Sequence, residues 1–301
     1  MTTTEQLSAL SSILTQSGLH SLFQPIISLS ERKILGFEAL SRGPSNSPLH
    51  SPIALFAVAR QAGRLNELEI ACRESACRRF HEQRLPGKLF LNVSPESLLE
   101  AAHQPGRTLQ LLEDFGIPPS QVVIELTEQT PIDDFQLLQN ALNHYRAMGF
   151  SIALDDLGAG YSSLRLWSEL RPDYVKIDRH FIDGIHQDAL KREFVGSIMQ
   201  IAKASRAQVI AEGIELPEEL AVLTDMGVDL VQGYLLCRPQ EHPPRDARNL
   251  MPKQDSAAVA LNEEASDLSA LLNDQPAVDR DTPTATVLEA FRRQANLNSL
   301  A

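Results

Sequence analysis

The sequence predicts an α/β fold: a modified (β/α)8 barrel of the TIM type whose first strand is antiparallel, with a C-terminal linker and helical tail. Short apolar runs alternate with helical patterns along most of the chain, which is typical of parallel βαβ units. So many units in one series favour a closed barrel over an open sheet. The series opens with two strands separated by four polar residues, 30–33, and this spacing predicts an antiparallel hairpin.

The individual elements follow from hydrophobic periodicity and from residues that begin or end helices. Pro52 suits a first helical turn, whereas Gly149 and Gly227 suit helix ends. Helices are predicted over residues 4–17, 52–62, 65–84, part of 105–115, 133–148, 190–205 and 217–226. Strands are predicted over residues 22–29, 34–40, 88–93, 122–126, 152–154, 174–177, 209–211 and 230–231.

The chain is predicted to contain three regions: an N-terminal helix at 1–18, the barrel at 19–245, and a linker and helical tail at 246–301. Residues 241–285 are rich in Pro, Asp, Ala and Ser and lack a strand signal, which indicates a linker with one weak helix near 257–272. A capped amphipathic helix is predicted over 284–300. It is either a tail docked on the barrel or the start of another module.

Composition and charge exclude several classes of protein. The chain has 301 residues, 43% of them hydrophobic, and a net charge of −12. Without a basic stripe it is not expected to grip long nucleic acids through their phosphates. No apolar run is long enough for membrane insertion, and the polar N-terminus lacks a signal-peptide pattern. Three cysteines without zinc-type spacing fit a reducing compartment, so a cytoplasmic location is expected.

Two adjacent acids, Asp155 and Asp156, follow the apolar run of the fifth strand. Neighbouring carboxylates are costly to hold together unless a cation neutralises them. Gly158 and Gly160 allow the backbone to turn sharply just afterwards. Taken alone, the pair fits an acidic loop tip in water equally well, so its meaning depends on partners elsewhere in the chain.

Nearly every predicted strand carries a polar residue near its C-terminal end. In a (β/α) barrel these ends meet at one rim, where ligands bind and chemistry occurs. Oxygen ligands of the Asp, Glu and Asn type favour hard cations such as Mg²⁺ or Mn²⁺, and the lack of His among them disfavours zinc. The residues concerned are Glu38, Arg42, Asn92, Glu125, Glu128, Asp155, Asp156, Lys176, Asp178, Glu212, Glu215 and Gln232.

These residues lie in motifs that resemble those of EAL-domain phosphodiesterases, which hydrolyse cyclic di-GMP. The resemblance covers residues 19–240, and although each motif is weak alone, the whole series in this order is highly specific. Leu157 stands where the family usually has Phe, which implies a somewhat looser loop. The motifs are Gln24-Pro25-Ile26, Glu38-Ala39-Leu40 with Arg42, Asn92-Val93-Ser94, Glu125-Leu126-Thr127-Glu128, residues 155–164, Lys176-Ile177-Asp178, residues 211–215 and Gln232-Gly233-Tyr234.

The resemblance implies a site with two metal ions and a role for each polar residue. Glu38, Asn92, Glu125 and Asp155 would hold one ion, and Asp155, Asp156 and Glu212 the other, so that Asp155 bridges. Lys176 would orient the attacking water or move its proton, and both alternatives stay open. Gln232 would also support the metals through bound water, and Glu128 would brace the loop 156–163. The residues implied in substrate binding are Gln24, Leu40, Arg42, Asp178, Gln232 and Pro239.

The function implied is metal-dependent hydrolysis of cyclic di-GMP to linear pGpG with two Mg²⁺ or Mn²⁺ ions, carried out by a homodimer. A non-catalytic receptor for cyclic di-GMP is the alternative, although such receptors usually lack one or more of the acids. A barrel enzyme acting on another phosphorylated metabolite is a third interpretation, and it requires the motif series to be a coincidence. The regulatory input is not apparent from the sequence.

Overall fold

A computed structural model describes residues 3–15, 18–99, 105–126, 135–158 and 163–251 of the chain. Eight strands form a closed barrel in chain order. They are β1 His20–Ser28, β2 Lys33–Arg42, β3 Lys88–Val93, β4 Val122–Leu126, β5 Ser151–Leu157, β6 Tyr174–Ile177, β7 Gln208–Ala211 and β8 Leu230–Val231. Strand β1 is antiparallel to both β2 and β8, and the other neighbours are parallel. The predicted barrel and its reversed first strand are confirmed.

Helices cover the outside of the barrel, as expected for βαβ units. They are α1 Thr3–Thr15, α2 Pro52–Gln61, α3 Leu65–Glu82, α4 Pro95–Leu99, α5 Pro105–Asp114, α6 Phe135–Ala147, α7 Ser163–Leu170, α8 Arg179–Ile182, α9 Ala189–Ser205 and α10 Pro217–Asp225, with short 3-10 turns at Pro119–Gln121 and Ala247–Asn249. Helices α4, α7 and α8 are absent from the sequence prediction, and each has eight residues or fewer, shorter than the window over which helical periodicity is usually recognised. No helix in these described segments is both long and apolar enough to cross a bilayer.

The described residues belong to one compact unit that ends at residue 251. Helix α1 belongs to this unit, because Leu10 and Ile13 pack with Leu55 of α2 and Leu68 of α3. The predicted helices near 257–272 and over 284–300 lie outside the described residues, so the predicted boundary at 245 and the role of the tail stay predictions.

The interior of the barrel contains an apolar layer below a polar one. The apolar layer consists of Ile26, Phe90, Val123, Ala153, Tyr174, Ile210 and Leu230. Because side chains alternate along a strand, the residue two positions later points into the same interior, one layer higher. On the six parallel strands β3 to β8 these later residues are Asn92, Glu125, Asp155, Lys176, Glu212 and Gln232. The apolar layer therefore closes the bottom of the barrel and places the polar layer at its C-terminal rim.

Candidate functional site

The reversed direction of β1 completes the polar layer. On an antiparallel strand the rim lies toward the N-terminal end, so the equivalent of Ile26 one layer higher is Gln24. Gln24 pairs in register with Glu38 of β2, which brings an amide and a carboxylate to the rim beside each other. All eight strands thus contribute a polar side chain to one site.

Lys176 lies at the centre of this layer and contacts four acids. Its side chain is 1% exposed. The distances from Lys176 Nζ are 2.6 Å to Glu212 Oε1, 3.0 Å to Glu125 Oε1, 3.0 Å to Asp155 Oδ1 and 3.4 Å to Glu38 Oε2. One ammonium group therefore links acids from four different strands or strand ends.

The acids at the rim carry more negative charge than Lys176 can neutralise. Burial favours the neutral amine, but the four carboxylates outweigh it and raise the pKa of Lys176 well above its usual value. Burial likewise raises the pKa of Glu125 and Glu212 well above the ordinary range, although Lys176 opposes the shift. For Asp155, burial is again the largest cause of a raised pKa. Uncompensated buried carboxylates of this kind favour binding of a cation.

Glu38 differs from the other acids because amide groups hold it. Asn92 Nδ2 donates to Glu38 Oε1 at 3.2 Å, and Gln232 Nε2 donates to Glu38 Oε2 at 2.8 Å. Burial raises the pKa of Glu38, but attraction to Lys176 and these hydrogen bonds outweigh it, so the net shift is downward. Gln232 Nε2 also donates to Gln24 Oε1 at 3.2 Å, which ties β1 to the loop after β8.

A bulge in β5 brings Asp155 and Asp156 to the same side of the strand. In a regular strand the two side chains would point to opposite faces. Here the register with β6 shifts between Leu154 and Leu157, and Asp156 has a φ of 55°. The sequence-based strand ended at residue 154, so the structure corrects its length: the acids belong to β5 and to its bulge.

The bulge builds a group of three acids suited to a divalent cation. Asp155, Asp156 and Glu212 each offer an oxygen, and these atoms lie within 4.8 Å of one another. Burial, followed by the charge of Asp155, raises the pKa of Asp156 to about 6. Among the described residues, buried Oε2 of Glu125 and Oε1 of Gln232 also lack a hydrogen-bond partner. An all-oxygen donor set with unpaired buried acceptors fits Mg²⁺ or Mn²⁺.

The loops after β7 and β8 hold Glu212 and Gln232 side by side. Gln232 N donates to Ala211 O at 2.8 Å, and Ile214 N donates to Gln232 O at 3.3 Å. Gly233 is required at this crossing, because a Cβ there would lie 2.1 Å from the carbonyl oxygen of Ile214. The close approach of the two backbones fixes the spacing of these two site residues.

An open cavity of about 260 Å³ lies above the polar layer. Its lining includes Gln24, Asp156 and Asp178 from the sequence-predicted site, but not Leu40, Arg42 or Pro239, which are half-buried elsewhere. Asp178 begins α8 by accepting a hydrogen bond from the backbone of His180 at 2.8 Å. Arg42 Nη1 donates to the carbonyl of neighbouring Ser41 at 2.9 Å. Glu128 and Gly160 lie outside the described residues.

Sequence reasoning missed Arg179 at the mouth of this cavity. Among the lining residues that the structure describes, Arg179 alone is cationic. Its Nη1 lies 3.1 Å from Glu215 Oε1, and both side chains are well exposed. The signal was its position directly after Asp178, where the chain turns from β6 into α8 at the rim.

Comparisons with known proteins point to one family. The EAL domain family model matches residues 7–239. Cyclic di-GMP phosphodiesterase PdeF of Escherichia coli is 32% identical over 198 residues, covering 65% of this chain and 26% of PdeF. The blue light- and temperature-regulated antirepressor BluF of E. coli is 28% identical over 220 residues, covering 73% of this chain and 54% of BluF. The chain thus spans about a quarter to a half of these curated relatives.

A solved structure shows the same fold with ligands bound. Klebsiella pneumoniae BlrP1, determined as a manganese and cyclic di-GMP complex, has a TM-score of 0.69 and 31% sequence identity to this chain. The match covers 74% of this chain and 56% of BlrP1. The barrel described above is therefore shared with a protein that holds both a divalent metal and the nucleotide.

Proposed function

Because this chain belongs to the EAL-domain family, we propose that it hydrolyses cyclic di-GMP to linear pGpG by a two-metal mechanism. The observation that carries the proposal is the group of five rim acids around a single lysine, an excess of buried negative charge that divalent cations would neutralise. The names of PdeF and BlrP1's complex support the choice of substrate. All six side chains assigned as metal ligands by resemblance are present.

The proposed ligands fall into two overlapping sets. Glu38, Asn92, Glu125 and Asp155 hold one ion, and Asp155, Asp156 and Glu212 hold the other. When bound, two Mg²⁺ or Mn²⁺ ions supply Lewis acidity that neutralises the substrate phosphate and lowers the pKa of the attacking water. The resemblance assigns Asp155 to both sets, and its Oδ1 lies 3.0 Å from the same Lys176 Nζ that contacts Glu125 and Glu212.

The remaining side chains bind the nucleotide and direct the water. Lys176 Nζ donates a hydrogen bond that orients the attacking water toward phosphorus. Gln232 keeps Glu38 in place through the 2.8 Å hydrogen bond, while its unpaired Oε1 accepts from water in the site. Arg42 and Arg179 provide guanidinium groups for substrate oxygens, and Gln24, Leu40, Asp178 and Pro239 complete the path of the substrate. The proposal includes Glu128 as a support of the loop after β5, a homodimer and a cytoplasmic location.

The direct test is product analysis with purified protein. Incubation with cyclic di-GMP and Mg²⁺ or Mn²⁺ is expected to yield pGpG by liquid chromatography, and EDTA should stop the reaction. Glu38→Ala should abolish turnover, whereas Glu31→Ala, which removes an exposed acid from the β1–β2 turn, should leave it unchanged. Absence of pGpG with Mn²⁺ and the unmodified protein would refute the proposal.

The second candidate is a receptor that binds cyclic di-GMP without cleaving it. The observation that favours it is the relative BluF, which is named an antirepressor rather than a phosphodiesterase. A receptor would bind the nucleotide in the presence of metal and release it intact after prolonged incubation. Calorimetry combined with the product assay therefore separates the two functions.

A further inference from the structure

The turn that follows the acidic pair rests on an aromatic ring. Gly158 has a φ of 102°, in the left-handed region that favours glycine. A Cβ at Gly158 would lie 2.2 Å from Cε2 and 2.8 Å from Cζ of Phe181. The ring of Phe181, at the start of the segment after β6, therefore lies directly against the backbone two residues after Asp156.

The backbone of Asp156 needs such a support. Its φ of 55° is uncommon for a residue with a side chain and persists only where the surroundings impose it. On one side of the bulge, Leu157 pairs with Ile177 of β6. Four residues after Ile177, Phe181 covers Gly158. Ile177 thus holds Leu157, and Phe181 holds Gly158. These two contacts fix the backbone next to Asp156 and therefore the direction of its carboxylate.

Phe181 is itself held by neighbours on α8 and α9. Its backbone N donates to Asp178 O at 3.1 Å. Its ring centroid lies 5.4 Å from that of His180 and 5.6 Å from that of Phe194, which is 48% exposed on α9. The ring is fixed from outside the barrel, in a layer that contributes none of the proposed ligands.

We infer that Phe181 is a positioning residue for the metal group of Asp155, Asp156 and Glu212. Its flat ring permits the close approach of Gly158 and so maintains the bulge that turns Asp156 toward the other two acids. The inference rests on the proposed function only to the extent that these acids bind a cation. It predicts that loss of the ring weakens the ion held by Asp156 more than the other, because Asp156 belongs to one proposed set only, whereas three ligands of the other ion, Glu38, Asn92 and Glu125, lie on β2, β3 and β4.

The test measures metal binding in the absence of nucleotide. Mn²⁺ titrations of Phe181→Leu, followed by electron paramagnetic resonance and calorimetry, are expected to show one of the two ions bound roughly 10- to 100-fold more weakly, the range typical of residues that support metal ligands. The other ion shares only Asp155 with this group and should lose much less affinity. Phe181→Tyr retains the ring, although it adds a hydroxyl at Cζ, and should bind the weakened ion more tightly than Phe181→Leu does. Phe115→Leu makes the same change in a half-buried phenylalanine near the opposite end of the barrel and should have no effect.

A second pair of variants tests the contact from the side of the turn. Gly158→Ala and Phe181→Ala should each weaken the same ion. The loss in the double variant should be smaller than the sum of the two single losses, because both changes act through one contact. These variants also answer the question if Phe181→Leu proves too unstable to titrate. The inference is overturned if Phe181→Leu binds both ions normally, if both ions weaken equally, or if the losses of Gly158→Ala and Phe181→Ala simply add in the double variant.

These outcomes are separate from the fate of the proposed function. If the unmodified protein binds two Mn²⁺ ions but forms no pGpG, the proposed function fails and the assignment of Phe181 stands. If pGpG forms while Phe181→Leu leaves the binding of both ions unchanged, the assignment fails and the proposed function stands.

Discussion

Replacing Lys176 with methionine tests whether one buried ammonium holds the rim together without metal. Methionine has a similar length but no charge, so the variant leaves four carboxylates that lay within 2.6–3.4 Å of Nζ without their shared partner. Removing one member of a buried ion pair typically costs about 3–5 kcal/mol. For a unit of this size, with ~2–4 °C per kcal/mol, the unfolding midpoint in EDTA should fall by about 6–20 °C.

Thermal unfolding in EDTA and in Mn²⁺ measures this effect. Mn²⁺ should stabilise Lys176→Met more than the unmodified protein, since divalent ions replace the lost positive charge; a ligand at a hundredfold excess over its Kd contributes about 2.7 kcal/mol. In EDTA, the difference in unfolding temperature between Lys176→Met and the unmodified protein should become smaller as pH falls. Burial raises the pKa values of Glu125 and Glu212, so these acids take up protons before ordinary carboxylates do. Lys203→Met removes an exposed lysine of α9 and serves as the control.

One result would refute this reasoning. If Lys176→Met unfolds in EDTA at the same temperature as the unmodified protein at pH 8, the four acids do not depend on the ammonium. The carboxylates would then have relieved their repulsion by moving apart, and buried negative charge would no longer be a reason to expect a divalent cation at the rim.

Three further predictions concern other parts of the described chain. Arg179→Ala removes the cation at the mouth of the cavity and should raise the KM for cyclic di-GMP about tenfold with little change in kcat. The control Arg206→Ala, at the far end of α9, should change neither constant. An unchanged KM in Arg179→Ala would exclude Arg179 from substrate binding. Burial raises the pKa of the Cys72 and Cys77 thiols to about 12. Neither thiol should therefore react with iodoacetamide at pH 8 until the protein is denatured. Mass spectrometry measures the labelling, and a labelled cysteine in the native protein would contradict the prediction. Burial alone would raise the pKa of Asp229, but hydrogen bonds from Ser30 and Ser28 outweigh it and lower the pKa. Asp229→Asn should therefore lose about 1 kcal/mol of unfolding free energy, measured in urea near neutral pH, and this difference should disappear as pH falls below the ordinary carboxylate value of 3.8. A loss that persists at low pH would argue against an ionised Asp229.

Much of the site followed from the alternation of side chains along strands. Asn92, Glu125 and Lys176 each come two residues after a buried apolar residue, so their convergence at one rim required only the barrel topology. The reversed hairpin was also predictable, because four polar residues between two strands leave little alternative to antiparallel pairing.

Other features depend on contacts that no local pattern records. The bulge at Asp156 arises from register with β6 and from the ring of Phe181, both distant in sequence from the acids. The contact of Lys176 with four carboxylates is likewise a property of the closed barrel rather than of any motif. Leu40, Arg42 and Pro239, assigned by resemblance to substrate binding, are half-buried outside the cavity lining, and their role stays a prediction.

The reversed first strand also decides where mechanical force would reach the barrel. In an all-parallel barrel the incoming chain joins at the closed end, a full strand length from the ligands. Here the chain joins at the open end, where His20 pairs in register with Arg42 of β2. The segment before residue 20 includes α1, which packs on α2 and α3. A displacement of α1 would reach the strand that carries Gln24 and its neighbour that carries Glu38 without passing through the apolar layer below.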